Sequence, residues 1–149
     1  MALLFSMTPA RADGVGPLAK LAGSWSGSGT AKFEGGQSEK LECRGHFTIK
    51  SGESGMGLAL RCASAGAKID MRSLLAVDNG SVSGTWEERT FNASGNLAGK
   101  ASSGSLSLVI SGGGLAGSMS MTFSQSSQSV HFTTSGTALR SASIRLNRL

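Results

Sequence analysis

Residues 41–62 read Leu41-Glu-Cys43-Arg-Gly45-His-Phe47-Thr-Ile49-Lys-Ser-Gly-Glu-Ser-Gly55-Met-Gly-Leu58-Ala-Leu60-Arg-Cys62. Leu41, Cys43, Gly45, Phe47 and Ile49 take every second position, alternating with Glu42, Arg44, His46, Thr48 and Lys50. Successive side chains of a strand point to opposite faces, so this segment predicts a strand with one apolar and one polar side. Ser51-Gly-Glu-Ser-Gly55 has turn chemistry, and Met56, Leu58, Leu60 and Cys62 resume the apolar phase beyond it. The two strands predict an antiparallel hairpin. Counting outward from a turn centred near Gly52 and Glu53, Cys43 and Cys62 fall almost opposite each other on the apolar face. Directly opposed residues have Cβ atoms about 4.5–5.5 Å apart, within reach of a disulfide given local twist.

The same period of two runs along the rest of the chain. Trp25 to Phe33 predicts the first strand, and Glu34-Gly-Gly-Gln37 turns it into the Cys43 strand. Lys68 to Leu75 follows, with Ile69 and Met71 inward, and Asp78-Asn79-Gly80 makes a tight hairpin, since Asn-Gly tolerates positive φ. Val82, Gly84 and Trp86 phase the next strand, which Asn92-Ala-Ser-Gly95 ends. Leu97 to Ala101, then Leu106, Leu108 and Ile110, then Met119, Met121 and Phe123, then Val130, Phe132 and Thr134 continue the series. Ala138 to Leu146 closes it, and only Val15 to Leu21 carries a hint of helix. Short turns between neighbours require antiparallel pairing. The expectation is an all-β, up-and-down meander of about 8–10 strands closing into a barrel, which removes exposed edges.

Gly at 22 and Ser at 26 are abundant and Tyr is absent, yet the apolar residues are patterned as they are not in disordered chains. Residues 1–12 read as the residue of a signal peptide: an apolar run leads to Ala10-Arg11-Ala12, a small-x-small site. Residues 13–149 are then one barrel domain, periplasmic or secreted by Gram-negative-type export. Two cysteines in a small exported chain favour a structural bridge over metal or redox chemistry, here Cys43–Cys62. No stretch has the apolar length of a membrane helix, and the outward Ser, Thr, Lys and Glu with few aromatics do not suit a transmembrane barrel. The net charge is +5, but the cations are dispersed, so nucleic acid is not an expected partner. Residues 101–139 contain no charged side chain.

Gly-x-Trp occurs twice, as Gly23-Ser24-Trp25 and Gly84-Thr85-Trp86. The first, in the run Leu21-Ala-Gly-Ser-Trp25-Ser-Gly27 at the start of the first strand, resembles the opening of the calycin superfamily of lipocalins, fatty-acid-binding proteins and nitrobindin-like barrels. The resemblance implies a barrel whose end is plugged by Trp25, with a cation from the last strands, Arg140 or Arg145, packed over the ring. No C-terminal helix is foreseen, which departs from lipocalins proper. The Leu-Ala-Gly-x-Trp start with a nearby disulfide is also similar to the secreted metalloprotease inhibitors of Gram-negative bacteria. That likeness implies an N-terminal arm, Asp13 to Leu21, inserted into a protease.

Candidate chemistry is sparse. His46 and His131 fall on polar faces, whereas a haem ligand would face a cavity. Serine is plentiful, but no base and orienting partner accompany any of it. Glu87 and Glu88 are adjacent and therefore point to opposite faces, so they cannot act on one bond. Glu88 shares the face of Trp86 and is expected at the rim. Met56, Leu58, Leu60, Met71, Trp86, Leu106, Leu108, Met119, Met121, Phe123 and Phe132 all phase inward and would line a cavity, with methionines adapting to varied apolar partners. The expected function is a non-enzymatic exported barrel binding a small apolar or amphipathic ligand. The alternatives are an inhibitor or binding partner of another exported protein, or an envelope structural protein. No metal and no cofactor are expected.

Overall fold

The computed structural model describes residues 14–50 and 55–149. Residues 1–12, expected to be the residue of a signal peptide, and most of the turn expected at 51–55 lie outside them. The described residues form one closed antiparallel barrel of ten strands. In chain order these are β1 (Gly23–Phe33), β2 (Ser38–Ile49), β3 (Gly55–Ala63), β4 (Lys68–Asp78), β5 (Ser81–Glu88), β6 (Ala93–Ser102), β7 (Ser105–Gly112), β8 (Leu115–Phe123), β9 (Ser127–Ser135) and β10 (Leu139–Arg148). Each strand pairs with its sequence neighbours, and β10 returns to pair with β1. Every described strand thus has two partners, and the ring has no edge.

The quoted hairpin forms with the expected register. Cys43 stands directly opposite Cys62 between β2 and β3, and the two are joined by a disulfide with Cα atoms 4.1 Å apart. Alternation holds around the ring: Leu41, Cys43, Phe47, Met56, Val77, Leu106, Met121, Val130 and Ile144 are buried, while their sequence neighbours face outward. Several strand boundaries differ from the reading of the sequence, β4 for one running on to Asp78, and two of the differences bear on the site. The Asn92-Ala-Ser-Gly95 stretch is not the turn; β5 ends at Glu88, Asn92 takes positive φ, and β6 already begins at Ala93. The last strand extends to Arg148 rather than ending at Leu146.

Inward glycines set the curvature. A Cβ at Gly27 would lie 1.9 Å from the Arg145 carbonyl oxygen, and one at Gly29 2.1 Å from that of Ser143. Across the ring, a Cβ at Gly99 would lie 1.8 Å from the Ser107 oxygen and one at Gly95 2.0 Å from the Ser111 oxygen. The strands bend so tightly at β1/β10 and at β6/β7 that no side chain fits inside either bend. Gly84 meets the same limit between β4 and β5, where a Cβ would lie 2.0 Å from the Leu74 oxygen, so such close approaches recur around the ring.

Candidate functional site

One end of the barrel is plugged. Before β1 a 3-10 turn, Gly16–Leu21, with proline near its start, folds Val15, Leu18 and Leu21 into the barrel mouth, where each is 1% exposed or less. Trp25 is wholly buried beside them, and its indole N–H donates to the Leu21 carbonyl at 2.9 Å. The Arg148 guanidinium lies 4.3 Å from the centre of the Trp25 ring. It also donates to the carbonyls of Ala22 at 2.6 Å, Gln125 at 2.7 Å and Lys20. The carbonyls at the end of a helical turn lack partners of their own, and Arg148 supplies them.

The cation over Trp25 is therefore Arg148, not Arg140 or Arg145. Arg145 faces outward, out of phase with Ala142, Ile144 and Leu146. Arg140 sits at the opposite end of β10, paired at 3.5 Å with Glu34. The arm foreseen over Asp13 to Leu21 is also corrected in its described part: Val15, Leu18 and Leu21 are core, so residues 15–21 close the barrel and do not project from it, while Asp13 lies outside the described residues.

Inside the ring is an apolar cavity of about 40 Å3. Met56, Leu58, Leu60, Met71, Trp86, Leu106, Leu108, Met119, Met121 and Phe132 all border it; Phe123 does not, and pairs with Gln128 near the plugged end. Trp86 is held by donation of its indole N–H to the Ser111 carbonyl at 3.0 Å. Ser73, buried and in phase with Met71 and Leu75 on β4, brings a hydroxyl to this lining. The cavity is small because large apolar side chains from most of the strands, Phe47, Trp86, Phe132 and the methionines among them, converge on it. Forty cubic ångströms exceeds the roughly 10–15 Å3 that a water needs but falls far short of a drug-sized ligand pocket.

The end opposite Trp25 is less tightly closed. Phe33, Ile69, Met71, Leu115, Phe132 and Leu139 pack on the core there but are only partly buried. Glu88 is inward and 8% exposed at this rim. Its carboxylate accepts from the backbone N–H of Asp70 at 3.2 Å and of Thr90 at 2.8 Å, so it ties the β5–β6 turn to β4. Its acceptor capacity is taken up by the fold. His46 and His131 are exposed on the outer face, with Nδ1 atoms 3.0 Å from Ser24 Oγ and 2.8 Å from Ser143 Oγ. Among the described residues no group of His, Cys, Asp and Glu side chains is arranged to hold a metal ion.

Gln128 on β9 is a functional candidate that the sequence reading passed over. It is 1% exposed, and neither its amide nitrogen nor its oxygen has a hydrogen-bond partner among the described residues. Its phase with Val130 and Phe132 was the available signal.

No protein-family model matches the chain, and no curated protein sequence is similar to it. Solved structures do share the fold. The Mycobacterium tuberculosis protein Rv2717c superposes with a TM-score of 0.71 at 15% identity, covering 97% of this chain and 99% of that one. The S-type phycobiliprotein lyase CPES from Guillardia theta gives a TM-score of 0.59 at 12% identity, covering 88% and 89%. These likenesses are consistent with a calycin-like barrel. They also correct one expectation. Missing nucleophile and acid–base constellations pointed away from an enzyme, yet a barrel of this fold carries the name of a lyase, so that exclusion does not stand. A disulfide-bonded barrel fits an exported protein, and no helix among the described residues is long and apolar enough to cross a membrane.

Proposed function

We propose that the barrel binds one small apolar or amphipathic ligand in its interior, admitted at the Glu88 end. The observation that carries this reading is the cavity itself, apolar but for the Ser73 hydroxyl and set in a barrel plugged at its Trp25 end. At about 40 Å3 it is the seed of a site and not a finished one. A larger guest enters by moving its lining. Met56, Met71, Met119 and Met121 are suited to that, because unbranched thioether side chains repack at low cost. Met71 and Phe132, partly exposed and bordering the cavity, stand where an entering ligand would first displace them. The likeness to a barrel named for phycobiliproteins supports a fold that can serve small-ligand chemistry, without naming a ligand here.

The test is quenching of Trp86 by a brominated fatty acid, with Trp25 replaced by Phe so that one indole reports. Saturable quenching at micromolar ligand, together with a small molecule retained in native mass spectra of protein from its own host, is the expected result. No quenching up to the solubility limit and a bare mass would overturn the proposal.

A further inference from the structure

The outer face of β1–β4 carries a hollow of about 960 Å3 whose walls include Ser26, Ser28, Arg44, Arg61, Lys68 and Thr90. Register places Arg44 directly opposite Arg61, and Ser26 directly opposite Arg44. Like charges directly opposed on neighbouring strands repel, so a sheet does not adopt this pairing for stability. The carboxylates nearby, Asp70 directly opposite Arg61 among them, offset it only in part. Asp70 is shared, 3.8 Å from both Arg61 Nε and Arg72 Nε, and its Oδ1 accepts no hydrogen bond among the described residues. Glu42 is the other acidic residue on the walls. Arg44 makes no ion pair among the described residues. Two arginines opposed on neighbouring strands, with hydroxyls around them, can close their guanidinium forks on one oxyanion.

A second hollow of about 500 Å3 adjoins the first at Ser28 and continues over β8, β9 and β10. Its outward walls are Ser120, Thr122, Ser129, His131, Ser143 and Arg145, with no acidic side chain. Arg145 stands opposite Ser28, which joins the two hollows at the β1/β10 bend. The trough therefore runs from an arginine pair, past Ser26 and Ser28, to a third arginine at the junction, and on along rows of hydroxyls. Neither hollow has a Phe or Trp wall, so it lacks the stacking platforms that single-stranded nucleic acid uses.

We propose that this trough binds an anionic, hydroxyl-rich chain, a sulfated or phosphorylated glycan, independently of the interior site. An oxyanion group sits between Arg44 and Arg61. The sugar hydroxyls exchange hydrogen bonds with the serines and threonines, and Arg145, across β1 from Arg44, meets a second anionic group.

Calorimetric titration at low salt tests it, with a sulfated heparin-type hexasaccharide as the probe and inorganic sulfate, neutral dextran and a single-stranded DNA oligonucleotide beside it. The hexasaccharide is expected to bind with an affinity that falls as salt rises, and more tightly than the other three. Arg44→Gln and Arg61→Gln should each weaken it about tenfold, the loss expected for one charge-assisted bidentate contact. Arg145→Gln should weaken it less, and Arg140→Gln, remote from the trough, should leave it unchanged. All four side chains are exposed, and melting curves confirm the fold; if Arg61→Gln melts early, Arg44→Gln alone decides. Absent binding, unaltered binding in Arg44→Gln, or equal affinity for DNA or for inorganic sulfate overturns the proposal.

Discussion

Arg148 lies over Trp25 with its guanidinium 4.3 Å from the ring centre while donating to carbonyls on both sides of the plug. One side chain from the last strand thus fastens the segment that precedes the first. Replacing Arg148 by Ala removes a cation–π contact and charge-assisted hydrogen bonds, and should destabilise the protein by about 2–3 kcal/mol in denaturant titrations. Arg148→Lys should recover less than half of that, because an ammonium cannot span the separated carbonyls. Arg140→Ala and Arg145→Ala should stay within about 0.5 kcal/mol of the parent, as exposed cations do. Equal losses at all three arginines would contradict this assignment.

The Cys43–Cys62 bridge closes a loop of sequence separation 19. The double variant Cys43→Ala/Cys62→Ala should lose roughly 3 kcal/mol in the chain-entropy model, seen as a lower denaturation midpoint. Alkylation of the native protein should find no thiol until a reductant is added.

The inward glycines give a paired test of the bends. Gly99→Ala and Gly27→Ala each place a methyl within 2 Å of a neighbouring carbonyl oxygen, since the Cβ would lie 1.8 Å and 1.9 Å away. Each should cost about 2–3 kcal/mol or more, because backbone has to move. Gly57→Ala meets nothing nearer than 3.9 Å and should be neutral or slightly stabilising, by up to about 0.5 kcal/mol. If all three melt alike, the bends are not what demands glycine.

Gln128 is buried with its amide unpartnered among the described residues. Gln128→Met, similar in volume and without polar atoms, should therefore raise stability by about 1 kcal/mol. A loss of that size would mean that the amide has a partner, such as a bound water, that contributes to the fold.

Most of the fold was legible because its physics is local. Alternation in β2, β3, β8 and β10 declares their inward faces, and Asp78-Asn79-Gly80 marks a hairpin by backbone conformation alone. The cysteine register followed from counting. The plug cation was misassigned to Arg140 or Arg145, although alternation through Ala142, Ile144 and Leu146 carries on to Arg148. Ending the strand two residues early hid it. The β5–β6 turn was misplaced because Asn92-Ala-Ser-Gly95 has turn composition, whereas the Glu88 carboxylate, bound to the Asp70 and Thr90 N–H groups, fixes the turn before it. The interior was illegible for a different reason. Whether ten strands enclose a ligand space or fill it depends on where the ring bends, and that needs the register of Gly27 and Gly99 against strands β10 and β7.

Closure of β1 on β10 also has a consequence in time. The pairs Trp25–Arg148 and Ala31–Ala142 join residues more than a hundred positions apart, so the seam cannot form until β10 has left the ribosome. Until then the partly built meander has two unpaired borders, β1 and the most recent strand, each able to recruit another chain. Shielding during synthesis and transport therefore matters most at β1, whose partner is made last. Permuted chains, cut at the Asn79-Gly80 hairpin and joined across the present termini, should assemble that seam early and aggregate less.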